Sequence, residues 1–131
     1  TIGRRQRQMC IRDSPKTMEE HIMPCFEASG NYSPEIVAGM PIVLTNNIDH
    51  AKESIGKSLA VYGQLPSYRA MLDREGAVGP ADIAIIGDEN KLGGEIKRLE
   101  SLGVTDFNAA IMDVEDGAYH RTLEFLGSLR P

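Results

Sequence analysis

The sequence predicts an α/β chain built on a parallel sheet, and three observations carry that reading. Two apolar runs, "EIVAGMPIVLT" at 35–45 and "TDFNAAIM" at 105–112, show no alternation of apolar and polar residues. Continuous runs of this kind suit strands covered on both faces. The segments around them have helical spacing, with capping residues at their starts and glycines at their ends. The resulting order is helix, strand, helices, strand, helix, which fits right-handed βαβ units. A length of 131 residues fits one domain. Two strong strands do not make a stable parallel sheet alone, so the chain is expected to be the end of something larger.

The elements follow in order. Residues 15–29 open with a Pro-Lys-Thr turn; Thr17 is the expected cap, with Glu19 and Glu20 in the first helical turn. Pro24 should kink or restart this helix, and Gly30 should stop it. In the run 35–45, Pro41 is awkward for a central strand, so a bulge is expected near Gly39–Pro41. Asn47 or Asp49 can cap the next helix, whose apolar face is Ile55, Leu59 and Tyr62. "PSYRAMLDREG" predicts a second helix from Pro66 or Ser67 to Gly76. "ADIAIIG" is a short apolar segment of open type. "DENKLGGEIKRLESLG" is the cleanest helix, capped by Asp88, with Leu92, Ile96 and Leu99 on the buried face and Gly103 as the stop. A terminal helix should place Tyr119, Leu123 and Leu126 on one side.

Composition excludes several classes. Formal charge is -5, aromatic residues make up 5%, and Trp is absent. Stacking platforms for single-stranded nucleic acid are therefore unsupported. No run approaches the ~20 apolar residues of a membrane span, and no apolar stretch follows the basic N-terminus as a secretory signal would require. Cys10 and Cys25 lack metal-type spacing; Cys25 reads as a free thiol in a reducing, cytoplasmic setting. Arg4, Arg5, Arg7 and Arg12 form a basic run against Asp13. Such an arm could bind phosphates, but no lysine, no flexible linker and no basic patch in the body accompany it. Arg4 to Ser14 also resembles, codon by codon, the translation of a transposase-type sequencing adapter. On that reading residues 1–14 are non-native and should not pack on the body, and 15–131 are the natural portion.

The remaining motifs favour ordinary readings. "IGKS" at 55–58 resembles the tail of a phosphate-binding loop, but Ala51 stands where that motif needs glycine, and the segment reads as helix. The glycines of "GDENKLGG" lack dinucleotide-loop spacing. His21, His50 and His120 share no ligand spacing, so no metal site is expected. "DVEDG" at 113–117 is acidic like a calcium loop without its other ligands, and reads as a solvated turn. Arg69 and Arg74 could clamp an anionic tail through their guanidinium forks; they could equally pair with Asp73 and Glu75.

Together, "SPEIVAGMPIVLT", "YGQLPSYRAMLDREG" with "GPADIAIIGDE", and "LGVTDFNAAIMD" resemble the C-terminal part of luciferase-like oxidoreductases. The subgroup they are most similar to is the actinobacterial type dependent on coenzyme F420, a deazaflavin. "PKTMEEHIMP" fits too, although Ser14 stands where a glycine is expected. The resemblance covers roughly 15–129 and implies the C-terminal part of a (β/α)₈ barrel of about 250 residues. Residues 35–45 would be its seventh strand and 105–112 its eighth, each deprived of one neighbour. Barrel active sites lie at the carboxyl ends of the strands. The resemblance thus implies Lys16, Thr17, Thr45, Asn46, Tyr68 and Arg69 as cofactor- or substrate-binding residues, with Met112 and Asp113 on the same face. It implies hydride transfer between F420 and a small organic substrate, with homodimerisation of the full-length protein. Catalytic residues are expected in the half not present, so none is assigned. An FMN-dependent luciferase-like monooxygenase is the alternative within the family. A non-catalytic α/β binding module is the alternative outside it.

Overall fold

The computed structural model describes residues 7–10, 15–28, 30 and 35–130. Its elements are β1 (Arg7–Cys10), a helix α1 (Pro15–Thr17, Met18–Ile22 and Met23–Ala28 in succession), β2 (Glu35–Leu44), α2 (Ile48–Ser58), α3 (Pro66–Glu75), β3 (Ile85–Gly87), α4 (Glu89–Ser101), β4 (Asp106–Ile111) and α5 (Ala118–Ser128). Short 3₁₀ turns at Tyr62–Gln64 and Pro80–Ile83 flank α3. Every strand pairing is parallel, and β2 is the hub: β4 lies on one edge, β1 and β3 on the other. The chain is therefore an α/β protein with a small parallel sheet.

Pro41 sits in β2 without the expected bulge. The register with β4 runs unbroken from Val37↔Asp106 to Ile42↔Ile111, through Pro41↔Ala110. The carbonyls of Ile36 and Ile42 accept from Thr105 and Met112, so even-numbered residues turn their backbone groups toward β4. Odd-numbered residues face the other edge, where β1 pairs with 35–38 and β3 with 42–44. Pro41 falls in the gap between them, where its missing N–H breaks no ladder bond.

Two threonines finish the ladder. At its start the Thr105 hydroxyl accepts from Ile36 N at 2.9 Å. Past its end, Leu44 N donates to Thr122 Oγ1 at 2.9 Å, and that hydroxyl donates to Ala118 O at 2.7 Å. A fully buried threonine in α5 is thereby satisfied.

The helices cover the sheet unequally. On the even-numbered face, Ile36, Ala38, Met40 and Ile42 pack with Met18 of α1 and Leu92 and Leu99 of α4. Full burial of an isoleucine of this kind contributes about 1.5–3 kcal/mol. On the other face, near the carboxyl end, Val43 and Ile86 meet Ala51 and Ile55 of α2.

Three expectations change. First, α1 begins at Pro15, so Thr17 lies inside its first turn and is not its cap. Proline suits a first helical position because its absent N–H would have no partner there. The helix then widens into a π turn at Met18–Ile22 and resumes at Met23–Ala28. This is how the chain accommodates Pro24, which interrupts the hydrogen-bond ladder. Second, residues 7–10 do pack on the body, as β1 against Glu35–Ala38; residues 1–6 and 11–14 lie outside the described residues. Third, the buried side of α5 is Ala118 and Thr122, with Phe125 and Leu126 against the core. Tyr119 and Leu123 are 44% and 48% exposed.

Candidate functional site

In open parallel sheets, ligands bind at the carboxyl ends of strands, where neighbouring connections leave for opposite faces of the sheet. Here the chain leaves β2 for one face of the sheet, while α4 after β3 and most of α5 after β4 pack on the other. From β2 the chain passes to α2, which packs beside Val43 on the odd-numbered face. From β4 it passes to α5, whose Phe125 and Leu126 join the even-numbered face. Between the two departures lies a cleft of about 420 Å³, lined by Thr45, Asn46 and Asn47, by Asp88 and Glu89, and by Glu115 and Arg121.

Its centre is a short polar network. Thr45 is 4% exposed, and its backbone N–H donates to Gly87 O at 3.0 Å, tying β2 to the end of β3. The Thr45 hydroxyl donates to Glu115 Oε1 at 2.8 Å and accepts from Asn47 N at 3.1 Å. Arg121 Nη2 donates to the same Glu115 oxygen at 2.7 Å. Gly117 makes this closure possible: its positive φ of 78° turns the chain sharply into α5. Outside the cleft lining, His50 Nε2 lies 3.0 Å from Val114 O and ties α2 to the turn after β4. A carbonyl only accepts, so Nε2 carries the proton in this pairing.

Of the residues the sequence implied, the structure brings together Thr45 and Asn46, both on the cleft wall. Lys16 is exposed in the first turn of α1 and does not line it. The Thr17 side chain lies outside the described part of the structure. Tyr68 lines a separate apolar cavity of about 170 Å³. Arg69 is engaged within its own neighbourhood. Its Nε donates to Asp73 at 2.9 Å, and its two terminal nitrogens donate to Val78 O at 3.0 Å and Ala77 O at 2.9 Å. It holds the loop after α3 in place.

Sequence reasoning passed over Glu115 and Arg121. "DVEDG" read as a solvated turn, yet it follows a strand at the same end of the sheet as Thr45. Setting the two strand-exit loops side by side would have brought an acidic turn against a threonine. Asp88 was read as a cap and is one: its Oδ1 accepts from Lys91 N at 2.9 Å. It also borders the cleft. Among the described residues no group of three or more His, Cys, Asp or Glu is placed to hold a metal ion. Among them, too, no helix is long and apolar enough to cross a membrane.

No protein-family model matches the chain, and no curated protein matches it by sequence. Its structure is similar to that of an F420-dependent secondary alcohol dehydrogenase solved in complex with an F420–acetone adduct. The TM-score is 0.59 at 17% identity, over 94% of this chain and 42% of the dehydrogenase. The chain thus spans less than half the length of that protein, and at this identity the likeness is one of fold.

Proposed function

We propose that this chain is the C-terminal portion of a luciferase-like, F420-dependent oxidoreductase. In that role it would supply the last strands of a (β/α)₈ barrel and part of the wall around the reacting groups. The observation that carries the reading is the polar cleft at the carboxyl ends of β2 and β4, in a fold that matches part of an F420-dependent dehydrogenase over 94% of this chain. When bound, a deazaflavin supplies hydride transfer, and a protein around it supplies binding, orientation and shielding.

The residues of the cleft do not fit the cofactor's anionic tail. The cleft offers Asp88, Glu89 and Glu115 against Arg121, and Arg121 is turned to Glu115. At each bordering helix start one amide already has an acceptor: Asn47 takes His50 N, and Asp88 takes Lys91 N. Phosphate at a helix start needs free N–H groups. Arg69 is likewise committed. On this reading the chain's share of the site is a polar rim around Thr45 and Asn46, and the tail is gripped elsewhere in the barrel.

Titration calorimetry with F420 tests this. The chain alone is expected to show no submicromolar binding. Co-purified as a complex with a complementary luciferase-like half-barrel, it is expected to bind and to bleach the deazaflavin absorbance when a secondary alcohol is added. Submicromolar binding by the chain alone would instead make it a self-sufficient domain. A stable complex that binds FMN and ignores F420 would move it to the flavin-dependent branch.

A further inference from the structure

We infer that the cavity beside Tyr68 is a binding site for a small, neutral aromatic molecule. The inference does not depend on the deazaflavin reading. The cavity opens on the odd-numbered face of the sheet, away from the α4 layer. Its floor is Pro41 and Ala110, register neighbours on β2 and β4, and its walls include Leu59, Tyr62, Tyr68 and Met112. The two small floor residues leave room that a leucine or isoleucine would fill. Among the described residues no charged side chain lines it, so an ionic ligand would lose its hydration without a partner among them.

Size and shape narrow the occupant. The volume is about 170 Å³. An engineered apolar cavity of about 150 Å³ stays dry and binds benzene, so a single six-membered ring with one small substituent is the matching scale. The rings of Tyr62 and Tyr68 have centroids 5.1 Å apart and are tilted by 54°. A third ring can add to such a pair edge-to-face, the arrangement aromatic quadrupoles prefer. The wall is closely packed: a Cβ at Gly63 would meet Pro80 Cδ at 3.3 Å, a contact that the proline would have to yield to by a few tenths of an ångström. Tyr62, on the wall, remains 42% exposed. Exposed apolar groups of this kind mark interaction sites when they border a concavity.

The test is a titration of the full chain, isotope-labelled at its methionine methyl groups, with toluene. The Met112 methyl signal is expected to move and saturate, by the ring current of the bound aromatic. Met18 and Met23, which pack on the opposite face of the sheet, should stay in place. Ala110→Leu should fill the floor and weaken binding by about tenfold or more, equivalent to about 1.4 kcal/mol. Should that variant fail to fold, the wild-type pattern decides by itself. Absence of a saturable shift at Met112, or equal movement of all three methyl signals, would overturn the assignment.

Discussion

The strands β2 and β4 read alike in sequence and sit differently in the fold. Both are apolar runs without alternation. β2 has partners on both edges, and Ile36, Ala38 and Ile42 are wholly buried. β4 pairs with β2 alone among the described residues, leaving Asp106 and Asn108 exposed and Phe107, Ala109, Ala110 and Ile111 half-buried. An unalternating run therefore states what a strand can tolerate on both faces. How much is buried depends on its neighbours. The reading of 35–45 as a strand stripped of one neighbour does not describe β2, whose second edge is occupied near both ends. β4 has β2 alone beside it among the described residues, and an unpaired strand edge invites association.

Substitutions in the two strands should separate them most sharply. Ile42→Ala removes a fully buried side chain from the hub and should cost about 2–5 kcal/mol, the range for large-to-small changes in a packed core. Ile111, its register partner in β4, is only partly buried, so Ile111→Ala should cost about 1–2 kcal/mol. Denaturant melts of both variants compare them directly. Equal losses would mean that β4 is as enclosed as β2 and that the contrast is false.

Next in size is Thr122→Val, which keeps the shape of the side chain and removes the hydroxyl. Leu44 N would then have no acceptor at the place where β4 has ended. A buried donor left unsatisfied costs about 1–3 kcal/mol. Amide exchange at Leu44 should accelerate beyond the change in global stability. If it follows global stability alone, Thr122 is core filler and the ladder ends without it.

Much of this fold was legible in the residues. The helix caps at Asn47 and Asp88, and the left-handed stop at Gly76, follow from local chemistry and stand where that chemistry puts them. What the sequence hid is non-local. Pro41 reads as a defect until the gap between β1 and β3 is known. Tyr119 and Leu123 have the spacing of a buried stripe, but the stripe that meets the core is rotated toward Ala118 and Thr122, because Thr122 must reach Leu44. In the site, Thr45 and Asn46 were legible from their place at a strand's end. Glu115 and Arg121 join them only through contacts between loops seventy or so positions apart, as the Thr45–Glu115 bond shows.

A smaller effect concerns the open edge itself. Asn108 is exposed in the middle of β4. Asn108→Lys should change stability by no more than about 0.5 kcal/mol, as expected for a surface site. Lysine on an edge strand opposes pairing with another chain, so light scattering at high protein concentration should fall. If association is unaffected, contacts elsewhere on the molecule drive it, and β4 is not its template.

The smallest effect lies at the other extreme from β2, on the solvent side of α2. Lys57 Nζ donates to Glu53 Oε1 at 2.6 Å, one helical turn away, and both side chains are well exposed. That hydrogen bond, and then the charge of Lys57, hold the Glu53 carboxyl below its ordinary pKa. A carboxyl whose pKa is depressed by folding stabilises the folded state above its unfolded pKa, and the contribution is lost as pH falls through the folded value. Exposed pairs of this kind contribute little and are screened by salt. Glu53→Gln should therefore lower the melting temperature slightly at neutral pH and low salt. The gap between wild type and variant should close in acid, and close again in high salt at neutral pH. A gap that persists under both conditions would show that the charge of Glu53 is not its source, and that the ion pair with Lys57 contributes nothing of its own.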